Sequence, residues 1–126
     1  MTVRVFVVDD ADQVRDMLVQ MLELSGFEIA GSAASGRDAV EGVVKTQPDV
    51  VVTDYKMPDM DGIATARAIR EQLPEQAIIL YTAYLDAALE RDAKAAGVSL
   101  CVSKIEGLAT LEQDIRRLAE DPFSRT

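Results

Sequence analysis

Histidine is absent from all 126 residues, and cysteine occurs once, as Cys101. Without an imidazole there can be no Ser-His-Asp or Cys-His nucleophile and no histidine-ligated zinc. A lone cysteine cannot close an internal disulfide, which suits a reducing cytoplasm. Basic residues are also scarce, 13 Lys and Arg against 22 Asp and Glu for a net charge of −9. A chain this acidic repels nucleic-acid phosphates, and no basic run overrides that, so direct nucleic-acid binding is not expected. Apolar runs stop at about five residues, as in Ala77–Tyr81. A membrane helix needs roughly 20. The opening Met1-Thr2-Val3-Arg4 leads straight into a strand-like segment and not into a secretory signal. What chemistry remains falls to carboxylates, hydroxyls, lysines and a hard cation.

The rest of the composition is that of one ordinary folded domain, 48% hydrophobic and 28% charged. A chain of this length buries roughly two-thirds of the surface it exposes when unfolded, so it needs no covalent staples.

Five short apolar runs alternate with five amphipathic stretches. The runs are Val3–Val8, Phe27–Ala33, Val50–Thr53, Ala77–Tyr81 and Val98–Val102. They are rich in Val and Ile and apolar on both alternations, as strands buried on both faces must be. Between them the apolar residues recur with helical period. Val14, Met17, Leu18, Met21 and Leu22 form the first stripe, closed by Gly26. Ala39, Val40, Val43 and Val44 form the second, ending before Pro48, and Ala66, Ile69 and Leu73 the third, ending at Pro74. Leu85, Ala88, Leu89, Ala93 and Ala96 form the fourth stripe, closed by Gly97, and Leu108, Leu111, Ile115 and Leu118 the fifth. Five βα units in succession require crossovers, hence a doubly wound, five-stranded parallel sheet flanked by five helices. The fold class is α/β. The domain is expected over residues 1–120, and 121–126 form a polar tail, either a frayed end or a linker stub.

Open parallel sheets bind ligands at the carboxyl ends of their strands. Strand one delivers Asp9-Asp10 there, strand three Asp54, strand four Thr82, and strand five Ser103-Lys104. Taken singly, each has a plain reading: an acid after a strand as a helix cap, Thr82 as a turn residue, Lys104 as a surface lysine. Together they are a chemical set. Three converging acids repel one another unless a cation joins them, and all-oxygen donors favour a hard ion such as Mg²⁺. A hydroxyl and an ammonium beside them match the oxygens of a transferring phosphoryl group. A carboxylate can itself be the nucleophile and form an acyl phosphate.

With Phe6-Val7-Val8-Asp9-Asp10, the run Asp54-Tyr55-Lys56-Met57-Pro58-Asp59-Met60-Asp61-Gly62, Thr82-Ala83 and Lys104 all in register, the chain resembles the receiver domain of two-component response regulators. The resemblance extends over essentially the whole chain and implies the flavodoxin-like (βα)5 fold of the chemotaxis type. It implies that Asp54 is the phosphoacceptor. Asp9, Asp10, Asp54 and the Lys56 carbonyl would hold Mg²⁺ or Mn²⁺. Thr82 and Lys104 would bind the phosphoryl oxygens, and small Ala83 would leave the approach to Asp54 open. Lys56 and Tyr84 stand where this family tunes the lifetime of the phosphorylated state. The donor would be a histidine kinase or a histidine phosphotransfer protein. The output would pass through helix four, strand five and helix five to a partner, or to an output domain in a longer parent, and that face also admits a homodimer.

Two positions depart from the family. Cys101 replaces the Tyr or Phe three residues before the lysine, and a thiol cannot perform a ring flip; Tyr81 or Tyr84 is then the candidate carrier of the signal. On strand alternation Val98, Leu100 and Val102 share one face, and Ser99, Cys101 and Ser103 the other. Ile105 stands where many receivers have a cis proline, and a cis bond to a non-proline residue costs ~2.5–4 kcal/mol, so a trans bond is expected. One rival reading takes Asp10-Ala11-Asp12-Gln13-Val14 as the D-x-D motif of haloacid-dehalogenase-like phosphatases, with Asp10 as nucleophile and Asp12 as acid. It leaves Asp54 and the Met57–Gly62 loop without a role. Another makes the domain a pseudo-receiver that binds without being phosphorylated, for which Cys101 is the sole support.

Overall fold

The alternation written in the strands sorts their side chains into two cores. Phe6, Val8, Val51, Ile78 and Leu80 point to one side of the sheet, and Val5, Val7, Val50, Val52, Ala77 and Ile79 to the other. The computed structural model describes residues 2–120. In chain order the elements are β1 (Arg4–Val8), α1 (Asp12–Leu24), β2 (Glu28–Ala33), α2 (Gly36–Thr46), β3 (Val50–Thr53) and α3 (Gly62–Gln72). There follow β4 (Ala77–Thr82), α4 (Ala87–Ala95), β5 (Leu100–Ser103), one 3₁₀ turn (Lys104–Glu106) and α5 (Leu108–Glu120). The proposed tail 121–126 lies outside the described residues.

All five strands are parallel, in the order β2-β1-β3-β4-β5. The chain steps outward from β1 to β2 and then crosses to the other side of β1, so the winding reverses there. That reversal puts α1 and α5 over one face and α2, α3 and α4 over the other, as the core memberships show. On α5, Leu111, Ile115 and Leu118 form a fully buried stripe. Each such side chain stabilises the docked helix by about 2 kcal/mol. Because strand order reverses between β1 and β3, their carboxyl ends open a crevice that the crossing chain does not cover.

The five strands and five helices stand where the apolar patterning predicts them, with two starts displaced by two residues and other ends shifted by one or two. Helix α4 begins at Ala87, after the Asp86 carboxylate accepts from the Leu89 N–H at 2.8 Å, so Leu85 belongs to the preceding loop. Strand β5 begins at Leu100 and not at Val98. The Ser99 N–H donates to the Ile78 carbonyl, and the Ile78 N–H donates to the Ser99 hydroxyl, which takes the place of strand pairing. Val98 therefore lies outside the alternation. It packs with Cys101 on the α4 side, whereas Leu100 and Val102 face the α1–α5 side as expected. Among the described residues no peptide bond is cis, so the bond before Ile105 is trans.

Candidate functional site

Asp9 and Asp54 each extend a strand by one hydrogen bond. The Asp9 N–H donates to the Ala33 carbonyl at 3.1 Å and the Asp54 N–H to the Val8 carbonyl at 2.9 Å. Their carboxylates are thereby delivered side by side to the β1–β3 crevice. Asp9 is buried, Asp54 half-buried and Asp10 exposed at the rim. One oxygen from each of the three lies within 4.8 Å of the others. None of these acids is spent as a helix cap: α1 starts behind Ala11 with no side-chain cap, and the Asp9 carboxylate accepts from the Ala11 N–H at 3.0 Å within the turn.

Lys104 arrives from the far side, at the start of the 3₁₀ turn after β5. Its Nζ lies 3.3 Å from Asp54 Oδ2 and 3.4 Å from Asp9 Oδ2. Isoleucine in place of proline at 105 thus leaves the ammonium in reach of both carboxylates. Burial opposes the Lys104 charge, yet Asp54 and Asp9 together outweigh it and hold the ammonium above its ordinary value. Burial pushes the Asp54 carboxyl up; Lys104 and the Tyr55 N–H, 2.7 Å from Asp54 Oδ1, pull it down, and the charge of Asp9 adds to the rise. The balance for Asp54 is upward. Three carboxylates against one ammonium leave an excess of negative charge, and the donor set is all oxygen. These residues fit a hard divalent cation.

Thr82 is buried at the end of β4, where its Oγ1 accepts from the Tyr84 N–H at 3.3 Å. Its hydrogen bond thus goes to its own loop and not to the acids. Lys56 is exposed on the loop after β3, its Nζ 5.4 Å from the centroid of the exposed Tyr84 ring. Ala83 is exposed beside it. Cys101 is half-buried on the sheet face toward α4, with Glu90 and Lys94 lining the same shallow pocket. Burial, and then the charge of Glu90, push its thiol up to about 11. Asp12, which the phosphatase reading needs as its acid, points to solvent and pairs with Arg15 at 2.7 Å. That reading therefore loses its second carboxylate.

Two contributors to the site escaped the sequence reading. Arg15 donates to the Asp9 carbonyl at 2.9 Å, pinning the turn that carries the acid pair. Its one sequence signal is the i,i+3 spacing to Asp12. Asp59, within the loop after β3, accepts from the Gly36 and Arg37 N–H groups at the start of α2. No local pattern could have revealed that, because the contact spans more than twenty residues. Gly62 closes the same loop by donating to the Tyr55 carbonyl at 2.7 Å. A Cβ there would sit 2.2 Å from the Asp54 carbonyl oxygen, so only glycine lets α3 begin directly against the acid.

The fold belongs to a known class. The family model of the response regulator receiver domain matches residues 5–116, and the chain is a member of that family, whose function is phosphoacceptance in two-component signalling. Among its relatives is a protein-glutamate methylesterase/protein-glutamine glutaminase of Alkalilimnicola ehrlichii, 40% identical over 95% of this chain and 32% of that protein. The chain spans about a third of the length of that relative. The chemotaxis protein CheY of Thermotoga maritima is 39% identical over 75% of this chain and 78% of its own. In structure, a LuxR-family two-component response regulator from Aurantimonas sp. SI85-9A1 superposes with a TM-score of 0.91 at 30% identity, covering 95% of this chain and 86% of that one. No helix among the described residues is long and apolar enough to cross a membrane.

Proposed function

We propose that Asp54 is the phosphoacceptor of this receiver and that the domain works as a phosphorylation switch. The observation that carries the reading is the trio Asp9, Asp10 and Asp54 within 4.8 Å, with Lys104 bridging two of them. A histidine kinase or a histidine phosphotransfer protein is the donor. An oxygen of the ionised Asp54 carboxylate attacks phosphorus, a new O–P bond forms and the P–N bond to the donor imidazole breaks. The departing imidazole then takes a proton from solvent. Lys104 serves twice: it favours the ionised, nucleophilic form of Asp54, and it then pairs with a phosphoryl oxygen. Thr82 releases its loop contact and donates its hydroxyl to another oxygen. Mg²⁺ or Mn²⁺, held by Asp9, Asp10, Asp54 and the Lys56 carbonyl, supplies neutralisation of the phosphoryl charge when bound.

The domain catalyses this uptake and a slow hydrolysis of its own acyl phosphate, and turns over no separate substrate. It is cytoplasmic, with residues 1–120 as the domain and 121–126 as a tail or linker stub. Its output face is α4, β5 and α5, read by a partner protein or by an output domain of a longer parent. Cys101 takes the place of a switching ring there, so Tyr81 or Tyr84 carries the coupling. The test is intact mass after incubation with Mg²⁺ and acetyl phosphate, for the native chain and for Asp54→Ala. Gain of one phosphoryl group by the native chain alone is expected. Labelling that survives Asp54→Ala, or no labelling of either chain, overturns the reading.

A further inference from the structure

The loop carrying Lys56 is fastened to a helix that contributes nothing else to the acid cluster. Asp59 Oδ1 accepts from the Gly36 N–H at 3.0 Å and Asp59 Oδ2 from the Arg37 N–H at 2.9 Å. The next N–H of α2, that of Asp38, donates to the Ser35 hydroxyl at 3.2 Å. The first three donors of α2 are thus divided between its own cap and an acid from another loop. The neighbouring Met60 lies flat on Gly36, where a Cβ would sit 2.2 Å from Met60 Cγ and 2.4 Å from Thr65 Oγ1. Glycine at 36 is what allows the loop to lie on the first turn of α2. At its far end the loop is secured by the Asp61 carboxylate, which accepts from the Ala64 N–H at 2.7 Å, and by the Gly62–Tyr55 bond.

We infer that Asp59 is a positioning residue for the cation site: by clamping the loop after β3 to the start of α2, it holds the Lys56 carbonyl where a divalent ion can use it. The inference rests on the proposed ligand role of Lys56. The Lys56 side chain turns away from the acids, its ammonium lying over the exposed Tyr84 ring. Its carbonyl is held through its neighbours Tyr55 and Met57, which pack partly buried against the core, and beyond them through the Asp59 clamp. Releasing Asp59 loosens the stretch that follows Met57, and the ordering it then needs is subtracted from ion affinity. Asp59 touches neither the acids nor the incoming phosphoryl group, so its loss weakens binding while leaving the chemistry of the filled site intact.

The test is a calorimetric Mg²⁺ titration of the native chain, Asp59→Ala, Asp59→Asn and Ser35→Ala, with each variant's thermal unfolding measured in EDTA. Ser35→Ala removes a cap from the same helix without touching the loop, and so serves as the stability control. Asp59→Ala is expected to bind Mg²⁺ about tenfold more weakly, the low end for residues that orient metal ligands, because Asp59 itself is exposed. Asp59→Asn, which keeps one accepting oxygen, should fall between it and the native chain. Ser35→Ala should bind within twofold of native. Uptake from acetyl phosphate by Asp59→Ala should lag at low Mg²⁺ and match native at saturation. Native affinity in Asp59→Ala, or an equal loss in Ser35→Ala, overturns the inference alone. Failure of the native chain to bind Mg²⁺ overturns it together with the proposed function.

Discussion

Lys56 and Tyr84 lean toward each other from the loops after β3 and β4, the ammonium 5.4 Å from the ring centroid. Each follows a proposed active-site residue, Asp54 or Thr82, by two positions. In the proposed switch this pair would shield the acyl phosphate of Asp54 from water. A cation over an exposed ring is worth about 0.5–1 kcal/mol, or roughly two- to fivefold in an equilibrium. Tyr84→Ala is expected to shorten the life of phosphorylated Asp54 by about that factor, and Lys56→Ala to do the same. The double variant should decay no faster than either single one, because both remove one interaction. Decay followed by intact mass after donor removal decides it; multiplying effects would mean that the two side chains act independently.

Replacing Lys104 by alanine should move binding and rate in opposite directions. Its ammonium competes with any divalent ion for Asp9 and Asp54, which lie 3.4 and 3.3 Å from it. Without it the three carboxylates are unopposed, so Mg²⁺ affinity should rise. Phosphoryl uptake should nonetheless fall by about two orders of magnitude, the typical loss when a donor to the reacting oxygens is removed. Titration of Mg²⁺ and initial rates from acetyl phosphate give the two numbers. A fall in both would mean that Lys104 mainly maintains the shape of the crevice.

The parts of this site that were legible in the sequence are those tied to strand ends. Val- and Ile-rich runs locate the strands, a parallel sheet dictates which ends converge, and Asp9, Asp10, Asp54 and Lys104 follow from that. What depends on one loop lying over another element was not legible. Asp59 looks like any loop acid until α2 is seen beneath it, and Arg15 looks like a surface partner of Asp12 until its second nitrogen is seen on the Asp9 carbonyl. Strand alternation failed at Val98 for a related reason. Ser99 takes over the backbone pairing of Ile78 with its hydroxyl, which delays β5 and turns Val98 to the other core. Thr82 closes β4, but the partner of its hydroxyl, the Tyr84 N–H, is a turn contact that residue spacing does not reveal.

Cys101 is expected to be a slow thiol. Burial and the nearby Glu90 push it up to about 11. Only the thiolate is alkylated, so at pH 7.5 its rate should be about 300-fold below that of an exposed cysteine of ordinary pKa near 8.5. The rate should climb about tenfold per pH unit from pH 7 to 10. Glu90→Gln removes the second of the two causes and should speed the reaction at fixed pH. Iodoacetamide labelling followed by mass measures all three; a fast, pH-independent rate would show that the thiol is open to solvent and ionised.

Asp54 should destabilise the ion-free fold at neutral pH. Its carboxyl is raised above the ordinary 3.8 by burial, with Lys104 and the Tyr55 N–H too weak to cancel the rise. A raised acid binds its proton more tightly when folded than when unfolded. Its contribution to stability therefore falls as pH increases from the ordinary value through the raised one, and the full penalty is present above that window. Asp54→Asn removes the charge and should melt a few degrees higher than the native chain in EDTA at pH 7, with the difference shrinking toward pH 4. Divalent ions should reverse the order. Ligand binding to the folded state alone stabilises by RT ln(1 + [L]/Kd), about 1.4 kcal/mol at ten times Kd. The native chain should gain that in Mg²⁺, while the asparagine variant, short of one anionic oxygen, gains less. Melting curves against Mg²⁺ concentration should cross. An asparagine variant already less stable in EDTA would mean that the Lys104 ion pair outweighs the burial of Asp54.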